Sequence, residues 1–396
     1  MAKIKTIKDI NIKNKRVLIR VDFNCPLNKD GSGVSDDNRI RAALPTIEYA
    51  MSQEAKVILV SHLGRPDGKK DPKYTLQPVG EKLAELLGKD VIFAHDCIGE
   101  GVWAVIESMK PGSVALLENV RYYKEEEAND KNFALELSKL CDVYINDAFG
   151  TAHRAHASTA GIAEFVKDKG MGFLMQKEVE NLDAVLNNPK KPFVAILGGA
   201  KVSDKIAVVE NFSKTADAMI IGGAMAYTFL KAKGIEVGDS MVENDKLELA
   251  KKIMARFETK GVKFLLPVDH IVASELKDGV VWEVTKDANI PAGKKGLDIG
   301  PKTIELFKGA LKDAAMVIWN GPMGVFETKP FDNGTVEIAR MLAESKAHTV
   351  VGGGDSASAV KKAGVMDKIT HVSTGGGASM EFLEGIKLPG LAALEA

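Results

Sequence analysis

The chain has 396 residues, of which 45% are hydrophobic and 27% charged, and its 53 Lys and Arg residues nearly balance its 54 Asp and Glu residues. This length suits two domains better than one core. The composition excludes a disordered chain. The near-zero net charge argues against a nucleic-acid surface, so any anionic ligand must be held by local clusters of basic residues.

The three cysteines, Cys25, Cys97 and Cys141, are far apart and form no Cys-x-x-Cys pair. This spacing argues against a disulfide framework and against a cysteine-rich zinc site. The N-terminal residues 1–6 lack the apolar core of a signal peptide, and no apolar run reaches the length of a membrane span. We therefore expect a cytoplasmic protein with reduced thiols.

Short apolar, β-branched segments alternate with longer segments of helical periodicity in both halves of the chain. This order predicts parallel strands joined by crossover helices. The predicted strands cover residues 17–22, 57–61, 114–117 and 143–146 in the first half, and 193–197, 218–221, 264–267, 316–319 and 349–351 in the second. The predicted fold class is α/β, with two Rossmann-like doubly wound parallel-sheet domains joined by a helix and a cleft between them.

Apolar residues recur at spacings of three and four from Met175 to Leu186, which predicts one amphipathic helix over residues 173–186, ended by Pro189. We interpret residues 173–188 as the connection between an N-terminal domain (1–172) and a C-terminal domain (189–375). Residues 376–396 would then return to the N-terminal domain. On the pattern alone, an ordinary crossover helix inside one large domain remains an alternative.

Polar and basic residues follow the strands of the first half. They are Arg20, Asp22 and Asn24, with Arg39 further along; His62 and Arg65; Arg121; and Asn146, His153, Arg154 and His156. Ligands of doubly wound sheets bind beyond the carboxyl ends of the strands, and guanidinium groups offer forked donors to phosphate and carboxylate. The cluster therefore predicts a small anionic substrate. The alternative, that each arginine pairs with a surface carboxylate, weakens because several recur at the same topological position.

Three histidines in this cluster, His62, His153 and His156, also admit a zinc site. No motif places a third Cys or carboxylate ligand, and arginines lie among the histidines. We therefore favour hydrogen bonds to an anion, or a loop cap.

Glycine clusters follow the strands of the second half. They are Gly198-Gly199-Ala200-Lys201 with Lys205, Gly222-Gly223, Asn320-Gly321-Pro322 with Glu327, Gly352-Gly353-Gly354-Asp355-Ser356, and Gly375-Gly376-Gly377. Glycines allow backbone N–H groups to approach a polyphosphate, and the following helix N-terminus assists, so this half is predicted to bind a nucleotide. Plain turns and helix caps are the alternative, since neither the Walker pattern nor G-x-G-x-x-G occurs in the right context.

Lys201 and Lys205 are four residues apart, and we expect them on one helix face with an anion between them, the alternative being a solvated pair. Asp355 suits Mg²⁺ that accompanies ATP, although a helix N-cap would look the same.

Nine motifs follow one another along nearly the whole chain. They are RVDFNCP (20–26), SHLGRP (61–66), LLENVRYY (116–123), NDAFGTAHRAHAS (146–158), GGAKVSDK (198–205), GLDIGP (296–301), NGPMGVFE (320–327), GGGDS (352–356) and STGGGAS (373–379). In these motifs the chain resembles the phosphoglycerate kinase family. It departs from the usual family pattern at Cys25 (usually Val), at Ser356 (often Thr) and at Lys294-Lys295 (often Trp-Met).

The resemblance implies a monomeric, ATP-binding transferase of glycolysis and gluconeogenesis. It would transfer the γ-phosphoryl group of MgATP reversibly to the carboxylate of 3-phosphoglycerate, giving 1,3-bisphosphoglycerate. The implied substrate-binding residues are Asp22, Phe23, Asn24, Arg39, His62, Leu63, Gly64, Arg65, Arg121 and Arg154. The implied nucleotide-binding residues are Gly199, Lys201, Lys205, Gly296, Asn320, Glu327, Gly353, Gly354, Asp355 and Ser356. Arg39, Lys201, Gly376 and Gly377 would stabilise the phosphoryl group in transfer, Asp355 would bind Mg²⁺, and Glu327 would accept a ribose hydroxyl.

No general base is needed for such a reaction, because a carboxylate with a pKa of roughly 4 is already deprotonated at neutral pH. Domain closure would align the ligands and exclude water. Two other classes remain open: a nicotinamide-dependent oxidoreductase, which lacks the expected fingerprint, and a non-catalytic nucleotide-binding scaffold.

Overall fold

The computed structural model of the chain describes residues 4–395. They divide into two compact units, one formed by the residues up to 180 together with those from 387 onward, the other by residues 181–386. Residues 1–3, part of the N-terminal stretch discussed above, and residue 396 lie outside the described part. Among the described residues, no helix combines the length and apolar character needed to cross a membrane.

The first unit contains one parallel sheet of six strands. These are β1 (Arg16–Arg20), β2 (Lys56–Val60), β3 (Val91–Ala94), β4 (Val114–Leu117), β5 (Val143–Asn146) and β6 (Asp168–Met171). They lie in the order β3-β4-β2-β1-β5-β6. The chain starts at β1 inside the sheet and extends it to both sides, so the loops after β1 and β5 diverge at the carboxyl edge. Doubly wound sheets bind their ligands at such a point.

Helices cover this sheet. They are α1 (Asn38–Ser52), α2 (Gln77–Leu87), α3 (Glu100–Ser108), α4 (Lys124–Glu127) and α5 (Lys131–Lys139). α1 shows why the sequence folds this way: Ile40, Ala43, Ile47 and Ala50 form one apolar stripe that joins the core of the sheet. The strands themselves are almost continuously buried, as expected for a parallel sheet with helices on its faces.

One helix, α6 (Phe173–Asn187), continues from the first unit into the second. The predicted helix over residues 173–186 is therefore present, and the division between the units falls within it.

The second unit contains a parallel and an antiparallel sheet. Its strands are β7 (Phe193–Leu197), β8 (Ala218–Ile221), β9 (Lys263–Leu265), β10 (His270–Ala273), β11 (Trp282–Val284), β12 (Lys295–Ile299), β13 (Met316–Asn320), β14 (His348–Gly352) and β15 (His371–Val372). The parallel sheet has the order β15-β14-β13-β7-β8-β9, and the antiparallel sheet has the order β11-β10-β12. The fold class is thus confirmed: both units are α/β with a six-stranded parallel sheet.

The helices of the second unit bury apolar stripes against its parallel sheet. They are α7 (Ile206–Thr215), α8 (Met225–Ala232), α9 (Leu247–Thr259), α10 (Pro301–Leu311), α11 (Asn333–Glu344), α12 (Gly354–Lys362) and α13 (Gly376–Leu383). In α10, for example, Ile304, Phe307 and Leu311 pack in one core with Trp319 of β13.

The C-terminal segment that groups with the first unit is shorter than the predicted 376–396. α13 contacts α7, and Asn211 Nδ2 donates to Leu383 O at 3.1 Å, so α13 belongs to the second unit. The returning segment begins at residue 387 and contains α14 (Pro389–Ala392). The Gly390 N–H donates to Ala152 O at 2.8 Å, which docks the segment on the loop after β5.

Candidate functional site

A cavity of about 250 Å³ lies at the carboxyl edge of the first sheet. It is lined by Asp22, Asn24, Arg39, His62, Gly64, Arg65, Arg121, Gly150, Thr151, His153 and Arg154. These residues follow β1, β2, β4 and β5, apart from Arg39, which lies in the first turn of α1. The strand order brings eight of the ten predicted substrate residues together. We call this space the anion cavity.

The other two predicted residues, Phe23 and Leu63, do not line the anion cavity. Their side chains are buried in the core of the first unit. Their neighbours along the chain line the cavity, because successive residues after each strand face the core and the cavity in turn. Phe23 and Leu63 hold the loops instead: the Phe23 N–H donates to Ser61 Oγ at 2.8 Å, and Leu63 O accepts from Asn119 Nδ2 at 2.7 Å.

Three cavity residues, Gly150, Thr151 and His153, are absent from the set implied by the sequence motifs. They come from a short 3₁₀ turn and the residues after it, which bring the loop following β5 over the cavity. Their place directly before Arg154 is the signal that the sequence offers for them, and His153 belongs to the strand-end residues of the first half.

The loops around the anion cavity are fixed to one another. Asn24 Oδ1 accepts from the Gly64 N–H at 2.9 Å, and Gly64 O accepts from Arg121 Nη1 at 2.8 Å. Gly64 has φ +60°, and a Cβ there would lie 2.3 Å from the ring of Tyr74, so this loop requires glycine. The loops after β1, β2 and β4 thus form one connected frame for the side chains.

The anion cavity has an excess of positive charge. Four arginines line it, and its single carboxylate, Asp22, forms an ion pair with Arg39. Burial raises the pKa of Asp22, but the guanidinium groups of Arg39 and Arg20 favour its charged form, and its pKa lies below its usual range, so Asp22 stays charged. Arg121 also pairs with Glu127 at 3.3 Å. A small anion with two or more negative charges would neutralise this excess of positive charge.

The second unit brings another predicted set together at the carboxyl ends of β7, β13 and β14. The Lys205 ammonium donates to Asn320 O at 3.2 Å and also contacts Asn320 Oδ1. Asn320 Nδ2 donates to Gly352 O at 2.9 Å, and the Gly321 N–H donates to Ser356 Oγ at 2.7 Å. Burial lowers the pKa of Lys205 to about 8, partly offset by Asp355. Lys205 is therefore a partly desolvated cation suited to a phosphate.

Several glycines of this unit have a different role from the predicted one. The N–H groups of Gly198, Gly199 and Gly223 donate to carbonyls of Asn320, Pro322 and Met323 at 2.9 to 3.0 Å, so they are not free to bind a polyphosphate. A Cβ at Gly198 would lie 2.1 Å from Pro322 O. These glycines allow the loops after β7, β8 and β13 to pack closely, which corrects the phosphate-binding interpretation for their N–H groups.

The N-termini of α12 and α13 remain suited to an anion. A Cβ at Gly376 would lie 3.4 Å from the backbone N of Gly354, so the first turns of the two helices are adjacent. The first N–H groups of a helix lack intrahelical partners and carry partial positive charge. Gly353 with φ +92° turns the chain into α12, and Asp355 is exposed in its first turn. Gly354, Asp355, Gly376 and Gly377 therefore lie around one electropositive edge.

The sequence predicts that Lys201 and Lys205 share one helix face. The structure does not place them together on a helix. Lys201 is exposed and precedes a 3₁₀ turn over Ser203–Lys205, and α7 begins only at Ile206. Glu243 holds this segment, because its carboxylate accepts from the Val202 N–H at 2.6 Å and from Ser203 Oγ at 2.6 Å. A helix was expected from the spacing, but the carboxylate stabilises a turn there.

The remaining predicted nucleotide residues, Gly296 and Glu327, lie on β12 and on the loop after β13. A Cβ at Gly296 would lie 2.2 Å from the Tyr227 hydroxyl, so close packing alone requires glycine at this position. Glu327 is exposed. Lys294 and Lys295 stand before GLDIGP, where the chain departs from the usual family pattern. Lys294 pairs with Glu283 at 3.4 Å, and Lys295 is the first residue of β12.

The described residues contain no group of three or more His, Cys, Asp or Glu side chains that could hold a metal ion. A Mg²⁺ ion commonly uses one or two carboxylates together with substrate phosphates. The exposed Asp355 beside the two helix N-termini fits that mode of binding.

Comparisons with known proteins agree over the whole chain. The family model described as phosphoglycerate kinase matches residues 7–386. The chain is 58% identical over 394 residues to a phosphoglycerate kinase of Anaeromyxobacter sp. (strain Fw109-5), covering 99% of both chains. It is 57% identical over 392 residues to one of Clostridium botulinum (strain Alaska E43 / Type E3), covering 98% of both.

Solved structures give the same result. The structure of phosphoglycerate kinase from Coxiella burnetii matches with a TM-score of 0.91 and 40% identity, covering 99% of both chains. The enzyme from Pyrococcus horikoshii OT3 matches with a TM-score of 0.83 and 35% identity, covering 98% of both.

Proposed function

The chain belongs to the phosphoglycerate kinase family, and from this membership we propose how its two units share the reaction. Phosphoglycerate kinase transfers a phosphoryl group reversibly between ATP and the carboxylate of 3-phosphoglycerate. The first unit binds the phosphoglycerate in the anion cavity, and the second unit binds the nucleotide at the edge formed by Lys205 and the N-termini of α12 and α13.

The anion cavity is the observation that carries this assignment. Its volume of about 250 Å³ suits a small molecule, and its lining offers Arg39, Arg65, Arg121 and Arg154. 3-Phosphoglycerate has a phosphate at one end and a carboxylate at the other, and both are groups that guanidinium recognises with paired hydrogen bonds. The implied role of these arginines is therefore chemically consistent.

The edge near Lys205 supports the nucleotide assignment. Helix N-termini favour phosphate, and a partly buried ammonium interacts with charge more strongly than an exposed one. Asp355 would bind Mg²⁺, whose charge would neutralise phosphate oxygens. Gly296 and Glu327 would contact the adenosine, with Glu327 accepting a hydrogen bond from the ribose.

The mechanism we propose requires alignment and charge stabilisation, and no base. The acceptor carboxylate is already ionised at neutral pH. Arg39, Lys201 and the first N–H groups of α13 at Gly376 and Gly377 would stabilise the phosphoryl group in transfer. The units would close on the two ligands to bring them in line and to exclude water. We also propose that the enzyme is monomeric and cytoplasmic.

A coupled assay tests this function. Purified protein with MgATP and 3-phosphoglycerate, with the acyl phosphate consumed by a coupled dehydrogenase, should oxidise NADH. ATP binding without turnover would favour a scaffold, and a nicotinamide-dependent signal without ATP would favour an oxidoreductase. Arg65→Ala tests whether the measured activity depends on the anion cavity. Arg65 is exposed and lines the cavity, so its loss should lower activity without unfolding the chain.

A further inference from the structure

A chain of buried polar groups connects α4 to the anion cavity. Glu126 on α4 is fully buried, and its carboxylate accepts from Ser158 Oγ at 2.6 Å and from the Ser158 N–H at 2.8 Å. Arg20, which is 1% exposed, donates from Nε to Ser158 Oγ at 2.8 Å. Its Nη2 lies 3.2 Å from Nδ1 of His62, a residue that lines the cavity. We call Glu126, Ser158 and Arg20 the buried relay.

The direction of each hydrogen bond in the buried relay follows from its chemistry. A guanidinium has donors only and stays protonated, so Arg20 must donate to Ser158 Oγ and to His62 Nδ1, as it does to the carbonyl of Val21. Ser158 Oγ then accepts from Arg20 and uses its one proton to donate to Glu126. His62 Nδ1 is left as the acceptor of the Arg20 Nη2 proton.

Because Nδ1 of His62 accepts from Arg20, the ring cannot carry a proton on both nitrogens and is therefore neutral. Burial lowers its pKa well below the usual value; Arg20, Arg121 and Arg39 act in the same direction, and only Asp22 opposes them. A neutral imidazole carries one proton, and Nδ1 is occupied as an acceptor, so the proton is on Nε2.

Glu126 is the acidic group that the buried relay connects to the buried Arg20. An unpaired buried charge is strongly unfavourable, so a buried guanidinium requires a buried counter-charge. Burial raises the pKa of Glu126 above its usual range, and Arg20, Ser158 and Arg121 oppose this shift only in part. Glu126 does not line the anion cavity, so its contacts orient the cavity residues without occupying the ligand space.

We propose that Glu126, Ser158 and Arg20 are positioning residues that hold His62 in its Nε2–H tautomer, so that a neutral N–H donor lines the anion cavity. The tautomer follows from the contacts alone, and the role toward 3-phosphoglycerate rests on the proposed function. Such a donor can bind an anion oxygen without adding another positive charge beside the arginines.

The first test is made on the wild-type protein without ligand. In histidine-¹⁵N-labelled protein, a long-range ¹H–¹⁵N correlation spectrum distinguishes a protonated ring nitrogen from an unprotonated one. His62 is assigned among the seven histidines by the loss of its signals in His62→Gln. The proposal expects a protonated Nε2 and an unprotonated Nδ1. A protonated Nδ1, or a charged ring at pH 7, would overturn it.

The second test breaks the buried relay. Ser158→Ala should give a mixture of His62 tautomers and raise the KM for 3-phosphoglycerate by about tenfold, as for the loss of a charge-assisted hydrogen bond, with a smaller change in kcat. Glu126→Gln keeps the shape of the side chain and should shift both properties in the same direction. A wild-type tautomer and KM in both variants would contradict the proposal.

Tyr144→Phe is the matched control. The Tyr144 hydroxyl is buried and donates to the backbone O of Ser158 at 2.9 Å, but no hydrogen bond joins it to a side chain of the buried relay in the described structure. Tyr144→Phe should lower stability and leave the His62 tautomer and the KM unchanged. If it changes the tautomer and the KM as much as Ser158→Ala does, the effect comes from lost packing, and the proposed role of the buried relay is wrong. If the wild type shows the Nε2–H tautomer but no turnover, the proposed function fails and the relay stands.

Discussion

Lys205 illustrates how burial suits a single residue to the nucleotide-binding role proposed for it. Its ammonium contacts Asn320, and burial, opposed mainly by Asp355, lowers its pKa to about 8. Bringing negative phosphate near a lysine favours the charged form and raises its pKa. Nucleotide binding and proton binding at Lys205 are therefore expected to be coupled.

We predict that ATP binding takes up a proton at Lys205 when the pH is above about 8. The free protein is then partly deprotonated at this residue and the complex is not, so the affinity for ATP should fall as the pH rises through this range. Lys205→Arg stays charged, because the pKa of arginine exceeds 12, and should bind ATP without this uptake. Calorimetry at pH 8.5 in two buffers of different ionisation enthalpy measures the proton count. Equal heats for the wild type would contradict the prediction.

At the scale of elements, α6 receives its N-terminal cap from distant parts of the chain. Thr46 Oγ1 accepts from the Phe173 N–H at 2.9 Å, and Asp147 Oδ1 accepts from the Met175 N–H at 3.1 Å. The residue before the helix, Gly172, has no side chain to cap it, and a Cβ there would lie 2.3 Å from Asp147 Oδ1. α6 is thereby tied to α1 and to the loop after β5, which both contribute to the anion cavity.

Asp147 should make stability depend on pH in a specific direction. Burial raises its pKa to about 7, against 3.8 for the ordinary value. Between these values the folded state binds the proton and the unfolded state does not, so this residue's contribution falls as the pH rises, by at most about 1.4 kcal/mol per pH unit. Asp147→Asn cannot titrate. The urea unfolding midpoint of the wild type should therefore fall relative to that of the variant as the pH rises toward 7, and the difference should then level off. A difference that stays constant from pH 4.5 to 8 would contradict this.

The nine strands predicted from the sequence are all present, shifted by at most two residues at either end. Each is a short apolar run, because a strand covered by helices on both faces must be apolar throughout. Six strands of the described structure were not predicted, namely β3, β6, β10, β11, β12 and β15. Of these, β6, β11 and β15 show no such run. β6 includes Asp168 and Lys169, every residue of β11 is exposed, and β15 has two residues.

The candidate site was predictable where residue type and strand end coincide, as for the cavity residues Arg65, Arg121 and Arg154. Close contacts between distant segments were not predictable. Gly198 packs against Pro322 O and Gly296 against Tyr227, and no local pattern distinguishes these glycines from phosphate-binding ones. The turn at Lys201 likewise depends on Glu243, which is distant in sequence.

For the whole molecule, the assignment of the two ligands to different units requires that the units come together for transfer. We expect that 3-phosphoglycerate and MgATP, added together, lower the radius of gyration measured by solution X-ray scattering, and that each alone has a smaller effect. An unchanged radius with both ligands bound at saturation would contradict closure and would leave in-line transfer without a route.

The central claim is that the phosphoglycerate and the nucleotide bind to separate sites on separate units. Calorimetric titration of both ligands into the wild type, Arg65→Ala and Lys205→Ala tests it directly. Arg65→Ala should weaken 3-phosphoglycerate binding by about tenfold, as for a lost charge-assisted hydrogen bond, and leave ATP binding unchanged, and Lys205→Ala should do the reverse. If Arg65→Ala weakens ATP binding, or if Lys205→Ala weakens 3-phosphoglycerate binding, as strongly as the expected ligand, the assignment of ligands to units is wrong.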